Sequence, residues 1–565
     1  MLITALAWIY ITLICWLWGM LIFYSLKRFT YEHEYPLPHF SIICILGLAA
    51  ITCFGGLLSL FLPLGGGLSH LVIAIPPLLY ILKNPRLIGF KVLKKQFPPL
   101  NKAVWFLLLV CCLMTLVMST WKIIHPDTLA YHAQIIQWIE KYKVVPGLVH
   151  VENRLGLQNY WFIACAIFSF KFIEIEALTF INSTVLLWFF IFIAYKINNY
   201  FTQPGKTYEA FLWLILLALS IASYTQTRLT ASSANPDFIA VILVWLILHL
   251  LVGKVSGKEP VVHFLLIIIF SVFAITIKLS VIPVFIAALY AGIRLIKIKK
   301  IKAALLAVGI TTIMLIPLLT RNIITTGYIA FPSAFPDLVN TDWKYDKKKT
   351  ILIKNFVTGY ARAVREPSTE EIARGAHMKL NEWLPGWWKH LSIADKLICI
   401  ILISSLLLAL FSFKKIFYSD PGTMVALAIA FTGIIFWFIQ APDPRFGYGF
   451  IIGFPAIIAI LVLPELHGKV KNIAKPLLLF SILAAGTLLG VYTVYRISNF
   501  FLPAQVLKPV GIESFPSETI NCSGIKIQLA LNREACGAIS IPCVIENCER
   551  FIPRGEKINN GFKAK

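Results

Sequence analysis

Ionisable residues are concentrated in the segment from Trp121 to Gly156, WKIIHPDTLAYHAQIIQWIEKYKVVPGLVHVENRLG, which lies between apolar stretches of the chain. Its carboxylate Asp127 follows a proline at the start of a predicted helix, where the helix dipole keeps a carboxylate ionised and fixed. An ionised, oriented carboxylate can act as a general base. The alternative is that Asp127 or Thr128 serves only as the N-cap of this helix.

A second carboxylate, Asp237, follows the sequence SSANP at the start of another apolar stretch. Two carboxylates that face one cavity can divide the roles of general base and substrate orientation, or they can share a divalent cation such as Mg²⁺ or Mn²⁺. Helix capping is again the alternative, because Pro236 would break the preceding turn. Asp127 and Asp237 are therefore the candidate catalytic residues, and the ligands of a metal if one binds; no other cofactor is indicated.

Three cations stand at the ends of apolar stretches, and their sequences are AITIKLS for Lys278, RNIITT for Arg321 and PDPRF for Arg445. A guanidinium group binds phosphate oxygens through two parallel hydrogen bonds, so these residues suggest an anionic lipid headgroup beside an acid–base site. The simpler interpretations are snorkelling for Lys278 and helix-end anchoring for Arg321. Arg445 can pair with its neighbour Asp443.

The segment Trp121–Gly156 contains three further candidate substrate-binding residues, His132, Glu152 and Arg154. Glu152 and Arg154 are close enough in sequence to form a local ion pair instead. His125 and His132 lack a metal-ligand spacing such as HExxH, so solvated or capping roles are the alternative for both histidines.

The elements that must position these residues are membrane-spanning helices. The chain has 565 residues, of which 58% are hydrophobic and only 14% charged, against about a quarter charged in soluble proteins. Many stretches approach the roughly 20 apolar residues that cross a bilayer. The sequence predicts an all-α polytopic membrane protein with about 13–14 transmembrane helices and outer loops that carry juxtamembrane helices. The predicted spans are 3–25, 40–62, 68–82, 103–120, 176–195, 207–226, 236–252, 261–277, 279–292, 302–320, 395–414, 423–440, 447–464 and 475–498.

Basic residues orient these spans. The first span has no basic region before it and is too long for a signal peptide, so we expect it to be retained. Basic clusters in the loops 83–96, 294–302, 414–415 and 469–475 all fall on one side, which is therefore cytoplasmic. The net charge of +24 has the same origin, and no nucleic-acid partner is expected.

The same assignment puts Asp127, Asp237 and the tail outside, provided that the apolar segment 159–170 does not span. That segment is short and reads as a re-entrant or interfacial helix. The helix after Asp127 is amphipathic and is expected to lie on the membrane surface. Four cysteines of the tail on an oxidising side predict two disulfides, with three possible pairings. They are Cys522, Cys536, Cys543 and Cys548.

This arrangement resembles GT-C type integral-membrane glycosyltransferases over residues 103–465. The features that carry the resemblance are, in order, the loop with HPD, the short helix 159–170, SSANPDF, TIKLS, RNIITTGYIAFPS and PDPRF. One departure is that this chain has a single Asp in the first outer loop, where many such enzymes have two acids close together. The chain also resembles a group of bacterial polytopic membrane proteins of unknown function with the loop pattern D-x-x-x-YH…VPG-L…RLG. Here the pattern is Asp127, Tyr131, His132, Pro146, Gly147, Leu148, Arg154, Leu155 and Gly156.

The resemblance implies a sugar donor linked to polyprenyl phosphate and an envelope acceptor that is a glycan, a lipid or a protein. Asp127 would deprotonate the acceptor hydroxyl, and the anomeric configuration would invert. Arg321, Lys278 and Arg445 would stabilise the leaving phosphate, while Asp237 would orient the acceptor or help to hold a cation. The resemblance also implies a bacterial cytoplasmic (inner) membrane, with the site on the periplasmic side.

Two other classes of function stay open at this point. A glycan polymerase or ligase of the O-antigen type also uses outer-face arginines, and a polytopic transporter or flippase would contain charged residues on broken helices. An inactive envelope scaffold is a further alternative.

The predicted divisions of the chain are accessory helices (1–102), a GT-C-like core (103–320) with a catalytic outer loop (121–158), a large extracytoplasmic loop (321–394), C-terminal transmembrane helices (395–498) and the tail (499–565).

Overall fold

The computed structural model describes most of the chain, and most of the described residues are helical. The described residues are 1–32, 34–85, 92, 94, 96–175, 178–202, 212–213, 224–252, 260–363, 368–462, 464–500, 502–532, 534–546 and 548–565. The helices up to residue 300 are α1 (Leu2–Thr30), α2 (Phe40–Leu58), α3 (Gly67–Lys83), α4 (Lys102–Ser119), α5 (Ala133–Lys141), α6 (Tyr160–Ile167), α7 (Phe180–Thr202), α8 (Tyr224–Ala231), α9 (Asp237–Val252), α10 (Val261–Ile277) and α11 (Phe285–Lys297). Those that follow are α12 (Ile301–Thr326), α13 (Lys347–Ala363), α14 (Thr369–Gly375), α15 (Leu380–His390), α16 (Ile393–Phe411), α17 (Phe413–Phe417), α18 (Pro421–Gln440), α19 (Pro444–Ile451), α20 (Gly453–Val462) and α21 (Pro464–Phe500).

Ten helical stretches in the described part of the chain are long and apolar enough to cross a membrane, as in an integral membrane protein. Four shorter apolar helices accompany them, including α9 and α10. Each predicted span that falls on described residues coincides with one of these helices. The predicted span 207–226 lies almost entirely outside the described residues. The prediction of a polytopic helical membrane protein is therefore confirmed, with ten helices of spanning length in the described residues where about 13–14 transmembrane helices were predicted.

Helix α6 has eight residues, Tyr160–Ile167, and at 1.5 Å per residue it is about 12 Å long. That length is far below the ~30 Å of a hydrocarbon core, so the helix does not span. All eight residues are buried, and the helix packs against α2, α5 and α10. The segment is therefore enclosed by the bundle instead of lying at an interface.

The helix that follows Asp127 was expected on the membrane surface, and this expectation is wrong. It starts with a π-helical turn, Thr128–His132, and continues as α5, in which every residue from Ala133 to Glu140 is buried. Helix α6 packs on one side, and the tail covers the polar glutamines on the other. The amphipathic pattern reflects contact with two different protein surfaces, not with lipid and water.

The tail departs from the all-α prediction, since it forms two small sheets. Strands β1 (Ser517–Cys522) and β2 (Ile525–Ala530) are antiparallel, and β3 (Cys543–Val544) runs parallel to β2. Strands β4 (Phe551–Pro553) and β5 (Phe562–Ala564) form an antiparallel pair. Two disulfides join the tail cysteines, and the structure selects one of the three pairings, Cys522–Cys548 with Cys536–Cys543.

Backbone contact without intervening side chains holds α1 against α2. A methyl group at Gly47 would lie 1.7 Å from the carbonyl oxygen of Cys15, and one at Gly19 would lie 1.9 Å from that of Ile43. Both distances are impossible for real atoms, so each glycine is needed for this approach. The N-terminal pair of helices is consequently built around two close backbone crossings.

We expect Gly47→Ala to destabilise the protein, because the added methyl forces the two helices apart; overpacking of this kind costs about 1–3 kcal/mol. Thermal unfolding in detergent, followed by intrinsic fluorescence, measures the effect. Gly292→Ala is the matched control, since a methyl there meets nothing within 4 Å. Equal melting temperatures for the two variants would contradict this account of the α1–α2 contact.

Candidate functional site

A buried hydrogen bond sets the two candidate acidic segments side by side. The side-chain amide of Asn235 is 2.8 Å from Nε2 of His125, and the backbone carbonyl of Asn235 accepts a hydrogen bond from the Asn182 side-chain amide at 2.8 Å. All three residues are at most 2% exposed. Each of the bonded residues His125 and Asn235 stands two positions before a carboxylate, so Asp127 and Asp237 start from adjacent points of the structure.

The charged side chains meet around Arg445. Its Nη1 is 3.8 Å from Oδ2 of Asp127, and its Nε is 3.8 Å from Oδ2 of Asp237 and 2.9 Å from Oδ2 of Asp443. Lys278 pairs with the other oxygen of Asp237. We call these five residues the charged cluster. Its three carboxylates and two cations leave one net negative charge when all are ionised.

Most residues of the charged cluster lie at the ends of helices, where one helix stops and the next begins. Asp237 is the first residue of α9, and Lys278 is the C-cap that separates α10 from the following 3-10 turn. Asp443 is the N-cap of α19, and its carboxylate accepts a hydrogen bond from the backbone N–H of Arg445 at 3.1 Å. A proline follows Asp443 at the first helical position, where its missing N–H costs nothing. Capping therefore orients Asp443 toward Arg445.

Exposure divides the charged cluster into an accessible residue and an enclosed group. The side chain of Asp127 is 38% exposed, whereas that of Asp237 is 7% exposed. The cations lie between these values, with Arg445 at 18% and Lys278 at 19%. Asp127 makes no side-chain capping bond at the start of its helix, so the capping alternative does not account for it. Its carboxylate is the one that a ligand from outside can reach.

The surroundings of Asp127 keep its carboxyl ionised. Burial raises its pKa, but the positive charge of Arg445 outweighs burial, and the pKa falls below its ordinary value. Burial lowers the pKa of His132 to about 3, so this imidazole is neutral at physiological pH. Its Nδ1 lies 3.1 Å from the hydroxyl of Thr128. Solvated or capping roles were the alternative for both histidines. Both rings are buried, so neither is solvated, and Nδ1 of His125 accepts the backbone N–H of Thr128 at 3.4 Å, which is a capping role.

Aromatic rings cover one side of the two cations. The Lys278 ammonium lies 3.9 Å from the ring centroid of Phe446, and the Arg445 guanidinium lies 4.7 Å from it. Tyr360 of α13 also interacts electrostatically with Arg445. Sequence reasoning did not include Phe446 in the site, although its position next to Arg445 in PDPRF was the available signal. Cation–π contacts of this kind retain both cations in a partly desolvated site.

Glu152 and Arg154 form a local ion pair at 2.9 Å, and the Glu152 carboxylate also accepts the backbone N–H of Arg154 at 2.8 Å. The Arg154 guanidinium lies 5.9 Å from the ring centroid of Tyr131. Tyr131 and Arg154 both interact electrostatically with Asp127. The predicted binding pair therefore flanks the charged cluster next to its accessible carboxylate, and its own charges are already matched.

Arg321 has other partners. Its Nε donates to the Gln158 side chain at 2.8 Å, and its Nη1 donates to the Ser59 hydroxyl at 3.1 Å. The residue is only 2% exposed. Among the contacts that the described residues make, none joins Arg321 to the charged cluster. The structure thus brings Lys278 and Arg445 together with the two acids and directs Arg321 toward neutral groups.

The charged cluster does not suit a shared metal ion. No group of three or more His, Cys, Asp or Glu side chains in the described residues is arranged to hold one. The guanidinium of Arg445 is 3.8 Å from both Asp127 and Asp237, which is where a bridging Mg²⁺ or Mn²⁺ would have to bind. A second positive charge in that position would be repelled strongly. The residues therefore do not fit the cation that the two carboxylates suggested.

We expect Lys278→Met to destabilise the protein by about 3 kcal/mol, because it leaves the enclosed Asp237 carboxylate without its nearest counter-charge. Asp237→Asn should have a similar cost, and the double variant should recover most of the loss. Chemical unfolding of the four proteins in detergent gives the coupling free energy. Strictly additive losses would show that the two side chains do not stabilise each other.

A family model described as "Domain of unknown function (DUF8201)" matches residues 1–452. The match includes all five residues of the charged cluster, and the tail lies beyond it. No curated protein matches the chain. No solved structure matches it either.

Proposed function

The chain belongs to the DUF8201 family, and we propose that it is an integral-membrane glycosyltransferase of the GT-C type. It transfers a sugar from a polyprenyl-phosphate donor to an envelope glycan, lipid or protein, with inversion at the anomeric carbon. The observation that carries the proposal is the meeting of Asp127 and Asp237 at one arginine, with Asp127 the more exposed of the two. An accessible, ionised acid beside phosphate-binding cations is what such a transfer needs.

In the proposed reaction, the acceptor hydroxyl attacks the anomeric carbon and gives its proton to the Asp127 carboxylate. The bond from the anomeric carbon to the phosphate oxygen breaks, and its electron pair leaves with the polyprenyl phosphate. Arg445 and Lys278 stabilise the charge that develops on this oxygen. Asp237 is a positioning residue, because one of its oxygens holds Lys278 and the other faces Arg445.

The geometry supports a coupling between proton transfer and phosphate departure. Arg445 lies within 3.8 Å of each of three carboxylates, yet none of these contacts is an aligned side-chain hydrogen bond in the described residues. Protonation of Asp127 removes one of the negative charges that attract this guanidinium. The cation then has more of its charge and its N–H groups available as the leaving phosphate becomes more negative.

The tail supports a site on the outer, oxidising side of the membrane. It contains both disulfides, which persist in oxidising compartments. Its strand residue Phe562 donates a backbone hydrogen bond to Pro146 in the loop after α5, and Lys122 pairs with Glu513 at 3.0 Å. The loop with Asp127 and the disulfide-bonded tail are therefore on the same side, in the proposed case the periplasmic side of a bacterial inner membrane.

We expect Asp127→Asn to abolish measurable transfer while the protein still folds, since loss of a general base lowers a rate by about 10²–10⁴-fold. Purified protein in lipid nanodiscs is incubated with an envelope extract as acceptor and a panel of polyprenyl-phosphate sugars radiolabelled in the lipid, and released polyprenyl phosphate is counted. Asp337→Asn is the control, because Asp337 pairs with Lys344 in another outer loop. A wild-type protein that consumes no donor of the panel would overturn the proposed function, and an active Asp127→Asn would remove the base.

The pH profile should show no titration near neutrality. The pKa of Asp127 is depressed, so the carboxylate stays ionised down to its ordinary value of about 3.9 and below. His132, with a pKa of about 3, does not titrate there either. We expect kcat/KM to be flat from pH 8 to about pH 5 and to fall only in stronger acid. A decline centred near pH 6.5 would identify a different base.

A further inference from the structure

The tail loop between Cys536 and Cys543 lies directly against the helix that follows Asp127. The backbone N–H of Gly537 donates to the carbonyl of Leu129 at 2.9 Å. The side-chain amide of Gln134 donates to the carbonyls of Gly537 at 3.1 Å and Ile539 at 2.9 Å. Gln134 is only 2% exposed, so these bonds form away from water. The side-chain amide of Gln137 adds a longer bond to the carbonyl of Ile539 at 3.4 Å, so four hydrogen bonds join this loop to the helix of the candidate base.

The helical turn that contains Leu129 is unusual. Asp127 immediately precedes the π-helical turn Thr128–His132, and Leu129 lies within it. A π-turn is wider than an α-turn and is rare, and such turns are frequently found at functional sites. The carbonyl of Leu129 receives support from the tail. Contacts from outside the helix thus help to maintain the turn that orients Asp127.

The tail loop in turn has a shape that depends on its own covalent and conformational constraints. Gly537 has φ +50°, and a methyl group there would lie 2.4 Å from the carbonyl oxygen of Glu513. The N–H of Ala538 donates to that same carbonyl at 3.0 Å, and the Glu513 carboxylate pairs with Lys122. The Cys536–Cys543 disulfide closes the loop and limits its alternative conformations. The loop is consequently a preformed acceptor surface for Gln134.

We propose that Gln134 and the disulfide-closed loop 536–543 are positioning elements for Asp127, so that the tail is a working part of the site. The catalytic half of this inference rests on the proposed transfer, whereas the structural half does not. The family match ends at residue 452, so the support comes from a part of the chain outside it. The tail then acts on the site through Leu129 and Gln134.

Hydrogen–deuterium exchange of the full-length protein in nanodiscs tests the structural half. Gln134→Leu, and separately Cys536→Ser with Cys543→Ser, should make backbone amides of residues 129–141 exchange about tenfold faster, since each removes or loosens hydrogen bonds between the helix and the loop. Cys522→Ser with Cys548→Ser is the matched control, because that disulfide does not close this loop. Unchanged exchange in Gln134→Leu, which keeps both disulfides, would overturn the proposal.

Kinetics of Gln134→Leu test the catalytic half. A positioning role predicts that kcat falls by about tenfold or more while KM for the donor changes little, because Gln134 does not touch substrate. Faster exchange together with a wild-type protein that transfers no sugar would sink the proposed function and leave the positioning role standing. An active wild type with unaltered kcat in Gln134→Leu would refute the positioning of Asp127.

Discussion

The arrangement of this protein depends on the pairing of one enclosed carboxylate. Asp237 is 7% exposed at the start of an apolar helix, and an unpaired charge in such surroundings is very unfavourable. Its two oxygens face Lys278 and Arg445, which lie at two helix junctions far from Asp237 in the sequence. This requirement joins α9, the α10–α11 junction and the α18–α19 junction at one place. The charged cluster is thus needed to stabilise the buried charge of Asp237, whether or not it binds a ligand.

Asp127 is different, because nothing in the packing requires its charge. It is 38% exposed, sits beside Arg445 at 3.8 Å, and is oriented by a π-turn and the His125–Asn235 hydrogen bond. Asp237 is enclosed and paired with the two cations, whereas Asp127 is the more exposed carboxylate. In the proposed reaction these different environments would give two chemically identical side chains separate roles.

The tail changes the character of the loop beneath it. Without it, the helix α5 would present Gln134 and Gln137 to water on its polar face. With it, these side chains are buried against backbone carbonyls of the loop 536–543. Arg554 adds a bidentate pair with Asp342 and stacks on Trp343, so the tail also holds the loop after α12. The tail therefore contacts both α5, close to Asp127, and the loop after α12.

The sequence by itself determined the long apolar helices, because hydropathy and length are local properties. It offered the local ion pairs and a non-spanning segment 159–170 as interpretations that the structure then decided. It also predicted that Asp127, Asp237, Lys278 and Arg445 belong to one site. Only the tertiary structure decided that Arg445 stands between the acids while Arg321 does not, that the amphipathic helix is buried, and which cysteines pair. Those outcomes depend on which surfaces meet across hundreds of residues, and such contacts leave no periodic or local trace in the chain.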